Sequence, residues 1–120
     1  MTTSNKDNQI DYVEFPAATA EALRAAKQFY ADVFGWKFQD WGESYVDTKS
    51  SGVASGINSD PHHRPPAPLV VLFSSDLEAT RSKVIAGGGK ITKEIFSFPG
   101  GRRFHYLDPA GNQLAVWSDK

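Results

Sequence analysis

Glu14 and Tyr12 stand two positions apart in Ile10-Asp11-Tyr12-Val13-Glu14-Phe15, an alternating run rich in β-formers, so a strand there places the carboxyl and the phenol on one face. If that face is turned inward, the carboxylate is partly desolvated, which favours the protonated form or a cationic partner, with Arg102, Arg103 and His105 as candidates. Two roles stay open for Glu14: a satisfied polar residue that fixes strand geometry, or a ligand contact and general base. His105 lies in Arg103-Phe104-His105-Tyr106-Leu107, where it shares a face with Arg103 and Leu107 and opposes Phe104 and Tyr106. Period alone leaves open whether that face looks inward or to solvent. His62 and His63 are adjacent, and neighbours in sequence seldom converge on one ion, so both read as solvated loop residues. The chain has no Cys, which excludes disulfides, thiolate metal sites and cysteine nucleophiles.

The elements that must position these residues follow from period and punctuation. The first strand ends at Pro16. Leu23, Ala26, Tyr30 and Val33 then recur at helical spacing with Phe29 and Phe34 beside them, Thr19 as the expected N-cap and Gly35 as the stop. Residues 36–41, 44–48 and 53–57 read as three short strands. Residues 58–68 hold four prolines and no apolar period, and read as a connector. Leu69 to Phe73 is a buried-looking strand, and Ser75-Asp76-Leu77-Glu78 has the pattern of a capping box that opens a helix ended by Gly87-Gly88-Gly89. Residues 90–96, 103–107 and 113–117 give three further strands. The order strand, helix, three strands therefore occurs twice, and Tyr45-Val46-Asp47 with Gly52 downstream rhymes with Tyr106-Leu107-Asp108 and Gly111. One βαβββ unit has too little core alone, so two must pair, within the chain or between chains. The expected organisation is a tail over 1–9 and one domain over 10–118, with module one at 10–57, the connector at 58–68 and module two at 69–118.

A chain of 120 residues, 40% of them apolar, suffices for one core and makes a second independent domain unexpected. The formal charge of −1 gives no electrostatic case for a nucleic-acid or anionic-membrane partner. No apolar run approaches the length of a spanning helix and no export signal is readable, so the cytoplasm is the default expectation.

The duplicated βαβββ order resembles the vicinal oxygen chelate superfamily, which includes glyoxalase I, bleomycin-resistance proteins and extradiol dioxygenases. Tyr12-Val13-Glu14-Phe15, Phe29-Tyr30-Ala31-Asp32-Val33-Phe34-Gly35-Trp36, Gly101-Arg102-Arg103-Phe104 and Asp108-Pro109-Ala110-Gly111-Asn112-Gln113-Leu114-Ala115-Val116-Trp117 are similar to its first strand, first helix end and last hairpin. They are most similar to the lactoylglutathione-lyase-related group, over residues 10–117. Each word also has a structural reading: Phe29, Tyr30, Val33 and Phe34 pack the helix on the sheet, and Asp108-Pro109-Ala110-Gly111 makes a turn. The fold the resemblance implies is α+β, two βαβββ modules forming a curved mixed sheet around a cavity.

The resemblance further implies metal ligands on the first strand of each half and on the last strand. Here those positions are Tyr12, Leu69 and Ala115; the latter two have no donor atom, and the phenol would have to lose a proton of pKa near 10. No metal or other cofactor is therefore expected, a divalent ion being the lesser alternative. If Ala115 marks the inward face, Gln113 and Trp117 share it and Val71 and Phe73 face them, so apolar walls carry Tyr12, Glu14, Arg103, His105 and Gln113 as polar points. Phe98-Pro99-Gly100-Gly101 is a turn at the expected mouth. Two functions follow: a metal-free module that binds a small apolar or aromatic molecule, or an enzyme. The enzyme would be a metal-dependent glyoxalase-type lyase, isomerase or dioxygenase, or a metal-free catalyst with Glu14 as base. A homodimer is the expected assembly by resemblance.

Overall fold

The computed structural model describes residues 5–120. The secondary structure is the expected α+β series, β1 (Gln9–Pro16), α1 (Ala20–Phe34), β2 (Phe38–Asp40), β3 (Tyr45–Thr48), β4 (Ser55–Asn58), β5 (Leu69–Phe73), α2 (Leu77–Ala86), β6 (Lys90–Phe98), β7 (Gly101–Leu107) and β8 (Gln113–Ser118). Two βαβββ modules are thus complete. By contacts, residues 12–69 form one compact unit, and residues 70–120 with the segment through Asp11 form the other. Of the tail expected over 1–9, residues 1–4 lie outside the described residues. Asp7 accepts from Ser75 N and Oγ, Asn8 N donates to Phe73 O, and Gln9 already belongs to β1.

In the first unit β4 pairs parallel with β1 and antiparallel with β3, and β3 pairs antiparallel with β2. Helix α1 begins where Thr19 accepts from Ala22 N and ends at Gly35, whose φ of 73° is the left-handed stop the sequence indicated. Leu23 is buried with Ala17, Val46 and Ile57, and Phe15, Ala26, Tyr30 and Phe38 pack around them. Phe29, Val33 and Phe34 do not pack the helix on the sheet as expected; they are 53%, 55% and 61% exposed. At 3.6 residues per turn Phe29 falls well off the stripe of Leu23, Ala26 and Tyr30, whereas Val33 and Phe34 stand in the last turn of the helix and do not join the buried cluster. There Tyr30 stacks on Trp36, with centroids 4.6 Å apart.

The second unit repeats the plan, with β5 parallel to β8 and the antiparallel pairs β8–β7 and β7–β6. Its core is Leu77, Phe104 and Val116, with Leu72, Val84, Ile91, Ile95 and Tyr106 against them. The capping box over Ser75–Glu78 is replaced by a simpler cap. Asp76 is the N-cap and accepts from Ala79 N, because Ser75 is engaged by Asp7 and Glu78 by Arg102. The turn between β7 and β8 closes as read: Gly111 N donates to Asp108 O, and Asp108 Oδ1 accepts from Ala110 N and Asn112 N.

Candidate functional site

Strand period decides which side chains leave the core. On β3, Val46 points to α1, so Tyr45 and Asp47 point to the opposite face. The register pairs Glu14 with Gly56 and Gly56 with Asp47, and β1 presents Tyr12 and Glu14 to that same face. These side chains form an unbroken hydrogen-bonded line. Trp41 Nε1 donates to Asp47 Oδ2 at 2.8 Å, and the Tyr12 hydroxyl donates to Asp47 Oδ1 at 2.6 Å. The hydroxyls of Tyr12 and Tyr45 are 2.7 Å apart. Tyr45 donates to Glu14 Oε1 at 3.2 Å and Asn58 Nδ2 donates to Glu14 Oε2 at 3.3 Å. Asp60 N donates to Asn58 Oδ1 at 2.8 Å and so fixes the amide. Glu14 is 2% exposed, and each of its oxygens accepts a hydrogen bond within its own unit.

Burial, reinforced by Tyr45 and Asp47, pushes the Tyr12 phenol well above its ordinary 10. Burial and then the Glu14 charge push Tyr45 upward as well. Both phenols are neutral hydrogen-bond donors at any physiological pH. Gly56 makes room for this: a Cβ built on it would meet the Tyr12 hydroxyl oxygen at 2.1 Å.

The face of the second unit opposite α2 has a different character. Val71 pairs with Ala115, Phe73 with Trp117, Arg103 with Trp117, His105 with Ala115 and Leu107 with Gln113. Phe104 and Tyr106 go to the α2 side, which settles the orientation of His105: it lies on the face of Arg103 and Ala115, away from the helix. Phe73 and Trp117 meet edge to face at 5.2 Å, and Phe98 lies 6.3 Å from Trp117. The Arg103 guanidinium sits 5.4 Å from the Phe96 ring and 5.8 Å from that of Phe98. His105 is 4% exposed, and its Nε2 is buried with no hydrogen-bond partner among the described residues. Burial, followed by the charges of Arg103 and Lys93, pushes its pKa down to about 4, so the imidazole is neutral at pH 7.

Val71, Phe73, Arg103, His105, Gln113 and Trp117 therefore share one face, and Tyr12 and Glu14 share the equivalent face of the other unit. Arg102, expected among the cations for Glu14, is instead bound to Glu78 of α2 at 2.5 Å and to Lys120 O, because the strand period turns it opposite to Arg103. His62 and His63 are held by Asp60, which accepts from His62 N and lies 3.1 Å from His63 Nδ1. Tyr45, Asp47, Asn58, Gly56 and Trp41 escaped the sequence reading. The alternation Tyr45-Val46-Asp47 held the signal, but the register that brings it to Glu14 is not written locally. A shallow depression of about 210 Å³ on the α1 side, lined by Leu23, Arg24, Lys27, Asp40, Gly42 and Glu43, is smaller than usual small-molecule sites, is bridged by a Lys27–Asp40 ion pair, and includes none of these residues.

A resident divalent metal does not suit the residues at its expected corners. Leu69 and Ala115 offer no donor, and the Tyr12 phenol is committed as a donor to Asp47 and held protonated by burial. Among the described residues no group of three His, Cys, Asp or Glu side chains stands close enough to hold an ion.

The profile of the Glyoxalase/Bleomycin resistance protein/Dioxygenase superfamily matches residues 9–116. The chain belongs to this superfamily. It is 28% identical over 104 residues to CFP32 of Mycobacterium tuberculosis, a protein named as a glyoxylase; the match takes in 78% of this chain and 40% of CFP32. The chain thus spans about two-fifths of the length of the curated relatives it matches. Among solved structures it is similar to the Mn(II)-bound glyoxalase from Novosphingobium aromaticivorans, with TM-score 0.64, 24% identity, and 97% of this chain and 40% of that one covered. It is likewise similar to methylmalonyl-CoA epimerase from M. tuberculosis, with TM-score 0.63, 16% identity, and 98% and 92% covered. These superfamily structures share the fold, and at such identities fold is all that they carry over. No helix among the described residues is long and apolar enough to cross a membrane.

Proposed function

We propose that this superfamily member binds a small apolar or aromatic organic molecule on the module-two face opposite α2, without a resident metal. The observation that carries the reading is the grouping of Phe73, Trp117, Val71 and Ala115 as an apolar wall with Arg103, His105 and Gln113 as its polar points. Apolar walls with few convergent polar groups are how small-molecule sites are commonly built, and the edge-to-face pair suits a planar ring. The unsuited donors at positions 12, 69 and 115 support the metal-free form of this reading.

A thermal-shift screen of aromatic and apolar compounds, run in chelator, tests it. A ligand selective for the folded state stabilises by about 2.7 kcal/mol at a hundredfold excess over Kd. Saturable stabilisation that Trp117→Leu abolishes is expected; a library without a single saturable hit counts against the reading.

A second reading is favoured by one observation on the module-one face. Glu14 is buried yet hydrogen-bonded through both oxygens, as a positioned general base is. Glu14→Gln separates the two: turnover lost with binding retained marks a base, and both retained marks a structural residue.

A further inference from the structure

Asp47, Tyr12, Tyr45 and Glu14 make a line with three oxygen–oxygen contacts, of 2.6, 2.7 and 3.2 Å. Its two phenols bring two protons, and an ionised carboxylate only accepts. With both carboxylates ionised, Tyr12 donates to Asp47 and Tyr45 donates to Glu14, so the 2.7 Å contact between the phenols holds no proton. One proton added at Glu14 completes the line. Glu14 then donates to Tyr45, Tyr45 to Tyr12 and Tyr12 to Asp47, and every contact is a hydrogen bond.

We infer that these four side chains are a proton relay, which passes a proton received at buried Glu14 to the more accessible Asp47 beside Trp41. The transfer balances: Glu14 gives its proton to the Tyr45 oxygen, Tyr45 releases its own to the Tyr12 oxygen, and Tyr12 releases its own to Asp47 Oδ1. No phenolate forms when the three shifts are concerted, in keeping with the phenols' resistance to ionisation. Asn58 donates to Glu14 at one end of the line, and Trp41, 59% exposed, donates to Asp47 at the other. Gly56, by lacking a Cβ, leaves the passage in which the Tyr12 hydroxyl crosses from β1 to β3. Among the described residues the titratable side chains that this module-one face brings together include the four members themselves, and those at the corresponding module-two face include Lys93, Arg103, His105 and Asp11, which accepts from Trp117 Nε1.

The relay rests on the reading of Glu14 as a base, but its test needs no ligand, so its failure is distinct from failure of the binding proposal. The full chain, labelled with ¹³C at the tyrosine Cζ and at the aspartate and glutamate carboxyl carbons, is titrated with acid by NMR. The relay requires a step in the Tyr12 Cζ signal at the midpoint of the Glu14 carboxyl, carried through Tyr45, whose hydroxyl hydrogen-bonds to both side chains. In Tyr45→Phe and in Glu14→Gln that step disappears while the response of Tyr12 to Asp47 stays. A Tyr12 signal flat through the Glu14 step in the unaltered protein, or a step that survives in Tyr45→Phe, overturns the relay.

Discussion

The hydroxyls of Tyr12 on β1 and Tyr45 on β3 lie 2.7 Å apart although β4 runs between their strands. They meet because β4 presents Gly56 between them, whose added Cβ would fall 2.1 Å from the Tyr12 hydroxyl oxygen and 2.9 Å from Tyr45 Cε1. The missing side chain in the middle strand is what joins two outer ones into a single polar line.

Gly56→Ala should therefore destabilise the protein by about 1–3 kcal/mol, the usual cost of overpacking. The backbone oxygen of Val46, 2.8 Å from the same built Cβ, cannot move aside as a side chain would. Urea unfolding measures the loss, and the Trp41 indole N–H resonance reports whether the line has parted. An alanine variant as stable as the parent contradicts the crossing.

His105 gives the protein a specific pH dependence. Its pKa falls from 6.5 to about 4 on folding, so the unfolded chain binds the extra proton and the folded chain does not. Stability is then unaffected by this group above about pH 6.5 and declines as pH drops towards 4, by roughly 3 kcal/mol in all at 1.36 kcal/mol per pKa unit. Urea unfolding at pH 7, 5.5 and 4.5 should show that decline in the parent and a smaller one in His105→Phe. Carboxylates held low by partners, Asp7, Asp60, Glu78, Glu94 and Asp108, act at lower pH and are common to both proteins. Parallel curves would mean that the imidazole is not buried neutral.

The β7–β8 turn supplies a third expectation. Asp108 Oδ1 accepts from two backbone N–H groups and Oδ2 from the Asn112 amide. Asp108→Ala should destabilise the turn and raise hydrogen exchange at Ala110 and Asn112 severalfold relative to the parent, because the turn loses its internal acceptor. Unchanged exchange at both amides would show the turn to be closed by its backbone alone.

Period two and the punctuation of Gly35, Pro16 and the proline-rich connector made the element order legible, and with it the shared face of Tyr12 and Glu14 and that of Arg103 and His105. What stayed hidden depends on register. Tyr45 and Asp47 sit on β3, two strands away from Glu14, and only the pairing of both strands with β4 brings them together. The rhyme between Tyr45-Val46-Asp47 and Tyr106-Leu107-Asp108 marks matching strands of the two modules but does not extend to the direction of the side chains. Tyr45 faces away from its helix while Tyr106 packs on its own, and Asp108 serves a turn rather than a polar line. Exposed Phe29 and Phe34 show a further limit: an apolar residue beside a helical stripe, or at its last turn, need not be buried with it.

The most direct measurement is calorimetric titration of the chelator-treated protein, first with Mn²⁺, Ni²⁺ and Zn²⁺ and then with the best aromatic compound from the screen. An organic ligand held without metal requires one-to-one binding of the compound in chelator, weakened at least tenfold by Trp117→Leu, and no stoichiometric uptake of any of the three ions. One-to-one uptake of an ion on which binding of the compound depends would contradict it.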